Sequence, residues 1–190
     1  MATTPAHPQI GRQGWPMATR SLRDYIASKR QAMQAAATAR PDPKSWRETV
    51  EATVVADDAT GVRKLHIGSQ QYISDSGPAF GGFRLGPSSP ELLCGVIGTC
   101  LTHTYEIAAA TLDVPLDYIE VRVSADNNDA GLLGIDCDDP PLPWNIRAHV
   151  KVQADGVSSA ALARVHAFVA ERCPLTRLIR TENSLQIIID

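Results

Sequence analysis

Ser88-Ser89-Pro90-Glu91-Leu92-Leu93-Cys94-Gly95-Val96-Ile97-Gly98-Thr99-Cys100-Leu101 is the stretch on which the fold turns. Proline at an early helical position loses no hydrogen bond, and a carboxylate beside it favours the positive end of the helix dipole. The run therefore opens a helix, predicted to continue to about Leu112. Leu93, Val96, Ile97, Cys100, Leu101, Thr104, Ile107 and Ala108 recur at three- and four-residue spacing, and Leu92, Ala109 and Ala110 widen the stripe beyond one face. Such a helix is buried on several sides, and a homodimer would cover what one sheet cannot.

Upstream of this helix, residues 48–56 carry β-branched side chains in partial alternation, and Asp57-Asp58-Ala59-Thr60-Gly61 turns the chain into a second strand at 62–67. A third strand at Gln70–Ser74 completes a meander. Gly77, Pro78, Gly81, Gly82, Gly86 and Pro87 make the connection to the helix a loop. Downstream, Asp113-Val114-Pro115 ends the helix, and residues 118–123 alternate as a half-buried strand. A long acidic loop at 127–143 leads to a strand at 146–152. Ser158 then caps a helix to about Arg172, and residues 184–189 are predicted as a last strand. Three strands, a helix, two strands, a helix and one strand spell an α+β fold, with antiparallel sheets packed on two core helices.

At the N-terminus, Pro5, Pro8, Gly11, Gly14 and Pro16 break residues 1–19 into an extended arm. Leu22–Ala39 follows a capping Ser21, is rich in Ala, Gln, Lys and Arg, and stops before Pro41 and Pro43, so it is predicted helical. Residues 1–45 are accordingly an arm with an appended helix, and residues 46–190 the main domain.

The 190 residues, 44% of them hydrophobic, suffice for one sizeable core. A net charge of −3 with interspersed signs, and no basic stripe, argues against nucleic acid as a partner. The N-terminus lacks a charged-then-apolar signal pattern, and polar residues cut the apolar stretches before the roughly 18 residues a membrane span needs. The expectation is a cytoplasmic protein with no membrane partner. In that reducing compartment Cys94, Cys100, Cys137 and Cys173 are thiols at rest, ligands or transient redox partners.

Two of these cysteines have suggestive settings. Cys100 lies on the helical row Val96, Cys100, Thr104, Ala108, and Cys173 on the row Ala161, Val165, Val169, Cys173. Both rows point inward, so two sulfurs far apart in sequence could approach. Pro174 biases Cys173 out of helical geometry and fixes it at a helix end. Free cysteine also packs as a small hydrophobe, so chemistry and packing both stay open here. A thiol attacks only as thiolate, and at an ordinary pKa of about 8.5 little is ionised at neutral pH. Mid-helix Cys100 gains nothing from a helix N-terminus, and the dipole at a helix C-terminus opposes a thiolate at Cys173, so a cation is expected. Arg63 and Arg84 are the candidates. Glu91 lies nine residues before Cys100, about 13 Å along a straight helix, too far to touch the sulfur but able to orient an arginine that does. It is also simply a favourable first-turn charge.

Gly86-Pro87-Ser88-Ser89-Pro90-Glu91-Leu92-Leu93, then Gly98-Thr99-Cys100, then Cys173-Pro174-Leu175-Thr176-Arg177 resemble the OsmC/Ohr family of thiol peroxidases over residues 48–190. The resemblance implies an intertwined homodimer with active sites at the subunit interface. It also implies reduction of organic hydroperoxides, with Cys100 attacking the peroxide, Cys173 resolving the sulfenic acid, and a small dithiol or dithiol protein as reductant. In the hydroperoxide-reductase branch an arginine in the first hairpin and a glutamate at the helix start pair around the reactive sulfur. Glu91 matches that glutamate, whereas the turn Asp57–Gly61 holds no arginine and Arg63 is displaced from it. The spacing from Glu91 to Cys100 is one residue shorter than in that branch, closer to OsmC-like members.

Cys100 and His103 sit one turn apart, but without a C-x-x-C or H-x-x-x-H pair no metal and no cofactor is expected. His66, His149, His166, Cys94 and Cys137 read as bystanders. The sequence thus predicts a cysteine peroxidase with Cys100, Cys173, Glu91 and Arg63 as its site. Ile97 and Leu101 would favour alkyl or lipid hydroperoxides if they border the pocket. The alternative is a binding protein of the same fold, with inert cysteines and an apolar pocket at the dimer interface.

Overall fold

The computed structural model describes residues 21–181 and 186–189. Its elements run in the order α1 (Leu22–Ala39), β1 (Thr53–Ala56), β2 (Arg63–Ile67), β3 (Gln70–Ser74), α2 (Ser89–Leu112), β4 (Tyr118–Asp126), β5 (Trp144–Gln153), α3 (Ser159–Arg172) and α4 (Pro174–Arg180). The expected arm at 1–19 lies outside the described residues.

The β1–β2–β3 meander and the β4–β5 hairpin are both antiparallel, so the α+β expectation holds. In the meander Val54 faces Leu65 and Leu65 faces Tyr72. β1 is shorter than the predicted 48–56. Its register puts Thr53 opposite His66, and just beyond, Gly68 turns β2 into β3 at a φ of +56°, leaving the residues before Thr53 little strand to pair with.

The loop after β3 is organised by Asp75, which sequence reading passed over. Its buried carboxylate accepts the backbone N–H groups of Ser76 (2.7 Å), Phe83 (2.9 Å) and Leu85 (3.0 Å). Those donors, Leu85 foremost, hold the carboxyl below its ordinary pKa. Glycine is required at two points here, because a Cβ would come within 2.1 Å of the Ser76 carbonyl oxygen at Gly82 and 2.3 Å of the Ile73 carbonyl oxygen at Gly86.

α2 is central, with α1, α3, α4 and β4 all packed on it. By length and composition it could cross a membrane, yet its buried residues join the common core with Leu116, Val165, Val169 and Cys173. α1 is capped by the Ser21 hydroxyl, which accepts from the Asp24 N–H at 3.2 Å. It docks through buried Ile26, with Arg23 pairing with Asp117 and donating to the Asp155 carbonyl at 2.6 Å, and Lys29 reaching Glu106 at 3.2 Å.

The hairpin is longer than predicted. Asp126 extends it beyond an irregularity at Ser124 by accepting from Asn145 and Arg147, each at 2.7 Å. Ser158 caps α3, its hydroxyl accepting the Ala161 N–H at 3.2 Å. α4 was not predicted at all. Of the expected last strand, residues 186–189 carry no strand and are exposed, and the remainder lies outside the described residues. A strand needs a partner edge, and these four residues have none among the described residues.

Candidate active site

α2 and the α3–α4 junction bring Cys100 and Cys173 together. Their sulfurs lie 3.7 Å apart across 73 positions of sequence. Cys173 is fully buried, whereas Cys100 is partly exposed. The approach arises because Val165 and Val169 of α3, with Cys173 at its end, share one core cluster with Leu101 and Tyr105 of α2. A hydrogen bond of 2.8 Å between the Tyr105 hydroxyl and His166 Nδ1 fixes the same pair of helices.

Cys173 closes one helix and opens the next. Its N–H bonds the Val169 carbonyl at 3.0 Å, its carbonyl accepts the Arg177 N–H at 3.1 Å, and its backbone is extended (φ −63°, ψ 115°) as a residue before proline requires. The α3 dipole opposes a thiolate at Cys173, but the sulfur also lies at the start of α4, whose dipole offsets it. Burial opposes ionisation of Cys173, yet the Thr176 hydroxyl and N–H, with Cys100 and Thr104, outweigh it and hold this thiol below its ordinary value. At Cys100 burial dominates and pushes the thiol up, against the Leu175 N–H and the Thr104 hydroxyl. Of the two thiols, the buried one is the more readily ionised. Thr104, Leu175 and Thr176 carry no role in the sequence reading, although Thr104 stands on the Cys100 row and the other two in the Cys173–Arg177 motif.

The other predicted residues are elsewhere in the chain. Arg63 donates to the Ser74 hydroxyl (3.1 Å) and the Ser76 hydroxyl (3.3 Å). Glu91 accepts from the Ser88 N–H (2.7 Å) and hydroxyl (2.8 Å), a helix cap that lowers its pKa. Nine positions at about 3.6 per turn are two and a half turns, which puts Glu91 on the opposite side of α2 from Cys100. Arg63, Arg84, Glu91, Cys94, His103 and Glu106 instead line an open groove of about 1470 Å³ between the meander loop, α2 and β4. Within one chain neither Arg63 nor Glu91 is among the groups that shift the Cys100 thiol. Ile97 and Leu101 are buried core residues that do not line the groove, whereas Leu93 and Val96, about two turns and one turn before Cys100, are exposed. Among the described residues no three His, Cys, Asp or Glu groups converge as metal ligands.

The fold has many solved counterparts. An OsmC-like protein from Mycoplasma pneumoniae is 15% identical, with a TM-score of 0.59 over 70% of this chain and 88% of that one. An OsmC-like protein of unknown function from Vibrio cholerae is 11% identical, with a TM-score of 0.57 over 72% and 96%. A structure described as an organic hydroperoxide resistance protein OsmC from Legionella pneumophila is 14% identical, with a TM-score of 0.50 over 70% and 90%. No curated protein matches the chain. The family model described as OsmC-like protein matches residues 81–188, which include both cysteines and the whole of α2. The chain belongs to the OsmC-like protein family.

Proposed function

We propose that the protein is a thiol peroxidase that reduces organic hydroperoxides, with Cys100 as the attacking sulfur and Cys173 as the resolving one. The observation that carries this reading is the 3.7 Å approach of the two sulfurs. Exposure separates their roles, since a peroxide can reach partly open Cys100 but not enclosed Cys173. A proton passes from Cys100 to Cys173, and the Cys100 thiolate attacks the distal peroxide oxygen. The O–O bond breaks, and the alkoxide leaves as alcohol after taking that proton. Cys100 is now a sulfenic acid, oxidised by two electrons. The Cys173 thiolate attacks it, hydroxide departs as water after protonation, and the sulfurs close to about 2.05 Å as a disulfide. An external dithiol returns the two electrons.

The exposed apolar side chains Leu93 (39%) and Val96 (51%) favour alkyl over hydrogen peroxide. A second copy of the chain completes the assembly, covering the groove and the exposed meander residues Val54, Val55, Tyr72 and Ile73. Within that dimer Arg63 and Glu91 belong to the groove. Free thiols suit a reducing compartment such as the cytoplasm.

The upward shift at Cys100 favours a second reading, a binding protein of the same fold whose cysteines are inert and whose groove holds the ligand. Steady-state consumption of cumene hydroperoxide with a dithiol reductant separates the two. Wild type is expected to turn over cumene hydroperoxide faster than hydrogen peroxide, and Cys100→Ser not at all. Equal rates for the two peroxides contradict the selectivity, and turnover that survives Cys100→Ser contradicts the mechanism.

A further inference from the structure

Three threonines of α2 bond a carbonyl of the preceding turn. Thr99 donates to Val96 at 2.9 Å and Thr102 to Gly98 at 3.0 Å, and both line the groove. Thr104 donates to the Cys100 carbonyl at 2.8 Å and is only 6% exposed. It differs from the other two in having the sulfur pair beside it.

We infer that the Thr104 hydroxyl is the positioning donor of the dithiol, resting on the Cys100 carbonyl and turning onto whichever sulfur carries negative charge. This rests on the dithiol reading above. Thr104 follows Cys100 by four positions, so the two side chains stack on one side of the helix. A hydroxyl has one proton and rotates about a single bond, so a small turn of the side chain exchanges a carbonyl acceptor for a sulfur. Burial leaves little water to make the competing bond. The same hydroxyl eases ionisation of both thiols, which a group fixed on one sulfur would not do.

The chemistry needs such a mobile donor, because the charge does not stay in one place. It lies on Cys100 during attack, on Cys173 during resolution, and on the departing sulfur when the reductant opens the disulfide. Thr104 gives a hydrogen bond at each stage and no proton, so it drops out of the balance of atoms and electrons. It takes the part that an arginine was expected to play, in a chain whose Arg63 is engaged by Ser74 and Ser76.

The test is an ultraviolet thiolate titration of reduced full-length protein, with Cys94 and Cys137 replaced by serine, comparing Thr104 with Thr104→Val, Thr104→Ala and Thr104→Ser. Removing a donor to a thiolate destabilises the ionised form, so valine and alanine are expected to move the titration to higher pH, and serine to restore it. Disulfide formation with diamide at neutral pH should slow by about tenfold in the first two, the effect of one lost hydrogen bond to a charged group. Alanine is the best helix former, which keeps the test open if valine perturbs packing. A titration unmoved by either variant, or moved equally by serine, overturns the proposal. No peroxide enters this experiment, so a wild-type protein that fails to reduce peroxide sinks the peroxidase reading without touching the role of Thr104.

Discussion

The C-terminal half of α2 buries Leu101, Thr104, Tyr105, Ala108, Ala109 and Ala110, whereas in its N-terminal half Ile97 is the buried residue among those described. α1 and α3 close on the C-terminal half. The groove starts beside the N-terminal half and runs on to Thr102, His103 and Glu106, next to a meander whose Val54, Tyr72 and Ile73 are 56%, 51% and 42% exposed. Cys100 stands at the boundary. On the proposed reading, one chain builds the inner wall of the site, with Cys173 and Thr104, and a second copy supplies the outer surroundings. The exposed apolar side chains of the meander fit such an interface.

Breaking the closed half should have the largest effect. Leu116→Ala removes a fully buried side chain and should cost about 3 kcal/mol, read as a lower denaturation midpoint with an unchanged slope. A cost under about 0.5 kcal/mol, the range of ordinary surface changes, would mean that this half is not the stable core. Ile73→Asp acts on the open half. It should convert the proposed dimer into a monomer in sedimentation equilibrium while diamide still links Cys100 to Cys173. Loss of the disulfide along with the dimer would show that the inner wall also needs the second copy.

Acid should act next, on the clamp that holds α1 against the closed half. A hydrogen bond from Arg23 lowers the Asp117 carboxyl to about 2. A depressed folded value means that its contribution is present above the ordinary carboxylate range near pH 4 and is lost as pH falls from there towards 2. Hydrogen exchange in α1 should accelerate across that window, and Arg23→Ala should remove the acceleration from the profile. The smallest effect is expected at Arg63→Ala, which should leave the thiol titration unchanged. A large upward move would place Arg63 at the sulfur through the partner chain.

Much of the closed half was legible because its signals are local. Ser21, Ser88 and Ser158 announce helix starts, and the three- and four-residue recurrence from Leu93 to Ala108 marks a helix covered on several sides. The rows that carry Cys100 and Cys173 were visible too, but their separation depends on how α2 and α3 pack, which periodicity does not encode. Cys173 was read as a helix end alone. Proline stops one helix and is equally at home in the first turn of another, and α4 is short enough to leave little periodic signal. The arginine expected at the sulfur rested on thiol chemistry and on the family resemblance, neither of which encodes geometry; within one chain, two threonines and backbone N–H groups act on the sulfur pair.

The most direct measurement is intact-mass and peptide mapping of the reduced protein after one equivalent of cumene hydroperoxide, in wild type, Cys100→Ser and Cys173→Ser. The account predicts a Cys100–Cys173 disulfide in wild type, a trapped Cys100 sulfenic acid in Cys173→Ser, and no oxidation at Cys173 in Cys100→Ser. A wild-type protein whose Cys100 stays reduced under excess peroxide would contradict it.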